Sequence, residues 1–264
     1  MVMGPTHSMS GAAVGLAVAQ LIPASWGGVT SPAEAFVFAG IGAGAALLPD
    51  LDSPQATASR SFGPASIGLS HLVENSAQAL VNVTRTPQDE YCGNGHRTAT
   101  HTIWFAIAAG LACSALVAIG GKTATIALLF FFLGLGLRGL FPSWSKQNDW
   151  LAISALSLGI ALAVWQFVPA SASPAAIGCA VAVGVLTHIF GDWLTKAGVP
   201  MLGGVVTVNG KRWWDFGAPG ALRISANGTA DQFLLGLFTL MVGYEVFLIG
   251  SGRTIADSLQ AIGG

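Results

Sequence analysis

The amino-acid sequence predicts an all-α fold, a polytopic membrane bundle of about six to seven membrane helices with a His/Asp site at one membrane face. Two observations lead to it. Of 264 residues, 53% are hydrophobic and only 9% are charged, with a mean hydropathy of +0.66; a soluble domain carries about 25% charged residues. The apolar residues also fall in long runs separated by short polar connections, the pattern of repeated membrane spans. The chain reads as one domain, residues 1–264, with an interfacial insertion at 53–94 and a long loop at 196–230.

Taken in order, Thr6-His7 precedes a first apolar segment at about Gly11 to Ile22, short for a full span. No basic region stands ahead of it, so a cleaved signal peptide is not expected. A loop from Pro23 to Pro32 leads into a second helix, about Ala33 to Leu48, which stops at Pro49. Asp50 and Asp52 follow on what reads as an irregular segment, free to aim both carboxylates at one point. Between Ser53 and Asn94, Ile67, Leu69, Leu72, Val73, Ala77, Leu80, Val81 and Val83 have the spacing of an amphipathic helix lying in the membrane interface. His71 belongs to that helix and is expected to stay outside any site. His96 and His101 then stand at the entrance of the run Ile103 to Ile119. Further spans are predicted at about Thr123 to Leu137, Trp150 to Val168, Pro174 to Trp193 and Gln232 to Ile249.

Alternation of seven spans brings His7, Asp50, Asp52, His96, His101, Asp192 and Asp231, all candidate metal ligands, to one side. That side also collects Arg60, Arg85, Arg97, Arg138, Lys146, Lys196, Lys211, Arg212 and Arg223, leaving Lys122 and Arg253 for the other. An excess of Lys and Arg marks the cytoplasmic side, so the protein is expected in the inner membrane with its site facing the cytoplasm. A net charge of −1 and a pI of about 6.5 give no footprint for nucleic acid. Cys92, Cys113 and Cys179 form no disulfide framework, and Cys92, although four residues before His96, stands outside the ligand set.

His188 and Asp192 close an almost wholly apolar run and are four apart, one above the other on a helix face, where an imidazole nitrogen and a carboxylate reach one ion. Ionisable groups at such a position are costly and mark function. A mixed imidazole and carboxylate set suits zinc, with manganese or iron as alternatives. So many candidates exceed one tetrahedral zinc, and two or three ions point to phosphoester or amide hydrolysis.

Leu47-Leu48-Pro49-Asp50-Leu51-Asp52, His96-Arg97-Thr98-Ala99-Thr100-His101-Thr102 and the stretch from Thr187-His188 through Asp192-Trp193 to Val199-Pro200 resemble the successive motifs of the YdjM-like inner-membrane metal-dependent hydrolases. The N-terminal Thr-His and a weaker Arg223…Gly228…Asp231 segment extend the resemblance. It implies an all-helical enzyme distantly similar to zinc-dependent phospholipase C and single-strand-specific zinc nucleases, with His7, Asp50, His96, His101, His188 and Asp192 as ligands. The chain departs from the family at Ser53, where His is usual, at Thr98-Ala99, where a Gly-aromatic pair is usual, and at Asp231, where Glu is usual. The insertion at 53–94 also looks longer than in short members.

The expected function is hydrolysis of a phosphoester, phospholipid-type, at the cytoplasmic membrane face. Asp50 or Asp52 serves as base or bridging ligand, and Arg97 or Arg223 neutralises the phosphate. A metal transporter or sensor and a metal-clamped structural protein are the alternatives. A transporter needs polar groups at the midplane, where the sequence offers only Glu245.

Overall fold

Prolines and short polar caps decide where the helices start. The computed structural model describes residues 3–23, 31–143, 149–168, 173–253 and 255. Helix α1 (Gly4–Leu21) begins with Pro5 in its first turn, where the missing amide hydrogen costs nothing. It starts seven residues earlier than the sequence predicts, so His7 lies on the helix itself. In α2 (Pro32–Ala45) the Ser31 hydroxyl caps the Glu34 amide, and α3 (Pro64–Thr84) follows Gly63 at φ +58°. Thr102 caps α4 (Ile103–Leu140) through the Phe105 amide, Asp149 caps α5 (Trp150–Val164), and Ser173 caps α6 (Pro174–Trp193). Helix α7 (Thr229–Gly250) follows Gly228. No strand is formed among the described residues, only isolated β-bridges. The predicted loops at 23–32 and 169–173, and Lys146, fall largely or wholly outside the described residues.

Helix α4 is two crossings. At Gly121 the backbone leaves the helix, with φ 53° and ψ −135°, a region open to glycine, and the chain turns back. Both ends consequently lie at the same end of the bundle: the Ile103 amide bonds the Met201 carbonyl, while Gly139 abuts Leu47 and Ser8. Four helical segments are long and apolar enough to cross a membrane, Pro32–Asp52, Ile103–Leu140, Pro174–Trp193 and Thr229–Gly250, and α5 is a shorter apolar helix. The protein is therefore a multi-pass membrane protein.

Helix α1 is not among those four, and its packing explains why. It is the interior helix, against α2, α4, α6 and α7, with Ser8, Ala13 and Leu16 buried. A helix that faces protein does not need lipophilic side chains; it needs small ones. A Cβ at Gly11 would fall 2.5 Å from the Gly42 carbonyl oxygen, and one at Gly184 would fall 2.5 Å from the same oxygen. Small residues thus let α1, α2 and α6 meet backbone to backbone, the usual basis of helix association in membranes.

Helix α3 lies across the short turns that follow α2 and precede α4. It buries Ser66, Ser70, Ala77 and Val81 and leaves Leu69, Leu72, Leu80 and Val83 exposed about a quarter-turn away. An outward apolar stripe beside a membrane bundle is what an interfacial helix presents to lipid.

Candidate metal site

The bundle end at which α1 starts and α2 and α6 finish carries a buried cluster of ionisable side chains. His188 and Asp192, one turn apart on α6, are fully buried. His7, from the second turn of α1, stacks its ring on His188 with centroids 3.9 Å apart and brings Nε2 to 3.4 Å from Asp192 Oδ1. Both His7 ring nitrogens are buried without a hydrogen-bond partner. After α2, Pro49–Asp52 forms a short 3₁₀ turn that buries both aspartates.

That turn is regular where the sequence predicts an irregular segment, and the difference separates the two carboxylates. Residues two apart on a 3₁₀ helix point about 120° away from each other, so Asp50 and Asp52 approach the histidines from different sides, Asp52 at His101 Nδ1 and Asp50 on the side of the Nε2 atoms. Asp50 faces inward, with Oδ1 3.9 Å from His188 Nε2 and no hydrogen bond. Asp52 faces the chain before α4. It lies 2.7 Å from His96 Nδ1, accepts the Arg97 amide at 2.9 Å and the Thr100 hydroxyl, and stands 3.3 Å from His101 Nδ1. It therefore stands behind the histidines, orienting their rings, rather than among the converging ligand atoms.

Tautomers follow from these partners. His188 Nδ1 is 2.7 Å from the Ala46 carbonyl, which can only accept, so that nitrogen carries the proton. His101 Nδ1 faces Asp52 and the Thr100 oxygen, 3.0 Å away, and carries its proton too. The bare Nε2 atoms of both rings then face each other at 3.1 Å. Two lone pairs this close repel unless they share a proton or a metal ion, and nitrogens about 2.0–2.1 Å from a tetrahedral zinc would stand about 3.3 Å apart. Asp192 Oδ2 is 3.6 Å from His101 Nε2 and 3.8 Å from His188 Nε2. Two groups of ligand atoms thus converge within 4.8 Å, His7 with His188 and Asp192, and Asp50 with His101 and His188. Because His188 has one nitrogen to give, these are overlapping positions in a single cluster. The donor set and the unpartnered polar atoms fit a divalent ion.

His96 stands at the border, partly exposed, its ring 6.0 Å from that of His101. The hydrogen bond to Asp52 raises its pKa despite the opposing effect of burial. Next to it Arg97 adopts φ 58°, uncommon and strained for a residue with a side chain. This backbone lets its amide bond Asp52 while its guanidinium reaches Asp192 Oδ2 at 3.1 Å and the Gly198 carbonyl at 2.8 Å. Both residues line a cleft of about 590 Å³ with Lys211, Trp213, Trp214 and Asp215. The far wall is held by Asp89, which accepts from the Thr86, Arg212 and Trp213 amides. Burial pushes that carboxyl up, but the three amides outweigh it and hold it below its usual range.

The other expected residues have different partners. Asp231 is buried, but its oxygens take the Met3 amide, the Thr6 hydroxyl and the Asn227 amide, so it fastens the start of α1 and is not brought into the ligand groups. The exposed Arg223 spends Nε on the Ala218 carbonyl and does not line the cleft. His71 is exposed beside Glu74, outside the cluster as expected. Cys92 donates to the Asn94 carbonyl and lines the cleft without joining a ligand group. Thr100 and the run Lys211 to Asp215 gain a place beside the site only in the fold; in the sequence they stand as a motif residue and as a charged and aromatic patch inside a polar loop.

No curated protein and no solved structure matches the chain. The family model described as YdjM inner membrane protein matches residues 1–141, which include His7, Asp50, Asp52, His96 and His101. The match ends before His188 and Asp192, yet the fold returns α6 to the same cluster. More than half of the sequence is covered, and the chain belongs to the YdjM inner membrane protein family.

Proposed function

We propose that this protein is a membrane-embedded, divalent-metal-dependent hydrolase of phosphoesters, its site on the cytoplasmic face. The observation that carries the metal is the 3.1 Å approach of two imidazole nitrogens whose protons are engaged elsewhere. His7, Asp50, His101, His188 and Asp192 hold the metal, with His96 at the border, and their sharing of His188 leaves room for fewer ions than the two or three expected from the sequence; zinc suits the donor set, and manganese or iron is the alternative. Divalent ions there supply Lewis acidity toward water and toward a phosphoryl oxygen.

The reaction class rests on what stands beside the ligands. Arg97 and Lys211 are the cations of a cleft that Asp89, Glu90 and Asp215 also line, and they are the groups that would meet a phosphoryl oxygen there. Asp50, with Oδ1 unengaged, is placed to hold an ion or to take the proton of the attacking water.

The test is elemental analysis of purified protein followed by a phosphodiester and phospholipid screen. Asp50→Asn should cut turnover by about 100-fold or more, because the amide cannot supply the charge, while Glu245→Gln stays active. Glu245-dependent metal flux into proteoliposomes, with no phosphoester cleaved by the parent, would replace the enzyme with a carrier.

A further inference from the structure

We infer that the substrate carries an acyl chain, and that this chain lies in a groove open to the bilayer between α1, α6 and α7 whose inner end is His7. The inference deepens the proposed hydrolase and rests on it for the word substrate; occupancy of the groove by a lipid chain does not.

The groove measures about 570 Å³ and is walled by Val14, Val18, Leu186 and Phe238, among others. Its few hydroxyls are spent on the protein itself. Ser10 donates to the His7 carbonyl, Thr187 to the Val183 carbonyl and Thr6 to Asp231. What remains polar at the inner end is the His7 ring, whose Nε2 faces Asp192 Oδ1 at 3.4 Å.

Place and length argue for a lipid chain. From His7 to Val18, α1 rises about 16 Å, close to one hydrocarbon leaflet of about 15 Å. The bordering helices α6 and α7 are membrane spans, and α7 is only 11% buried inside the molecule, so hydrocarbon is the medium outside the groove. The separate polar cleft presents His96, Arg97 and Lys211 together with Asp89, Glu90 and Asp215. An apolar groove lined by His7 and a polar cleft lined by Arg97, two residues that both contact Asp192, match an amphiphile, with its chain in lipid and its phosphoester at the cluster.

The experiment uses full-length protein in vesicles of phosphatidylethanolamine and phosphatidylglycerol, the latter bearing a mid-chain diazirine. After irradiation, adducts should concentrate on residues 14–18 and 186–190. Val14→Trp and Leu186→Trp, which fill the groove, should each reduce those adducts about tenfold. Leu240→Trp, 74% exposed on α7, should not, and all three variants should keep the parent's metal content. Adducts spread evenly over lipid-facing residues, or unchanged in both groove variants, overturn the inference. So would equal effects of Val14→Trp on long-chain and short-chain substrates, where the expected result is a higher KM for long chains alone. Groove adducts without hydrolysis of any phosphoester would remove the enzyme reading and leave the lipid site standing.

Discussion

Asp52 and His188 are both fully buried beside histidines, and only their partners tell their roles apart. His188 turns a bare nitrogen inward, so His188→Ala should strip an ion from the purified protein. Asp52 works through the rings it orients. Loss of such a partner costs about 10–100-fold in metal affinity without abolishing binding, and Asp52→Asn should show that in a chelator competition read by elemental analysis. His71→Ala should match the parent. Equal metal content in His188→Ala and the parent would remove His188 from the ligand set. The sequence could not rank these residues, because a carboxylate or imidazole near a helix end looks the same whether it faces an ion, a second histidine or water.

The elements hold the site through two joints. Asp231 ties α7 to the first turn of α1, so Asp231→Asn should lower thermal stability in detergent while leaving the ions bound. Metal loss on the scale of Asp192→Asn would instead make it a ligand. The second joint is the crossing of α2 and α6 at Gly42 and Gly184. Gly184 sits one turn before His188, whose Nδ1 bonds the end of α2 at Ala46. Overpacking there costs about 1–3 kcal/mol or more, and Gly184→Leu should lower both the melting temperature and the metal content. Normal metal in a destabilised Gly184→Leu would show that the crossing does not position His188. Helix existence was legible from the apolar runs, and the interfacial helix from its periodicity. The early start of α1 was not, since glycine, threonine and serine in its first turns are weak helix formers that tertiary packing overrides.

At the scale of the whole molecule, the seven helical passes among the described residues, counting the two arms of α4, put every candidate ligand at one end of the bundle, with Lys122 beside the Gly121 turn at the other. The split of Lys and Arg favours the proposed cytoplasmic placement of the ligand end. In a Cys92→Ser background, Lys122→Cys should react with an impermeant maleimide added outside spheroplasts, and Lys211→Cys only after lysis. The reverse pattern would turn the protein over and place the site outside.

Composition and periodicity alone determined that this chain is a helical membrane bundle, and the spacing of His, Asp and Arg determined which of its ends carries the chemistry. Those are local properties, set by what hydrocarbon tolerates and by the pitch of a helix. Only the tertiary structure decided that Asp50 faces the ligand atoms while Asp52 stands behind them, that Asp231 fastens a helix, and that the loop at 196–230 walls a cleft. Each of these depends on which distant backbone lies opposite a side chain, and that is fixed by packing at contacts such as Gly42 with Gly184, far apart in the chain.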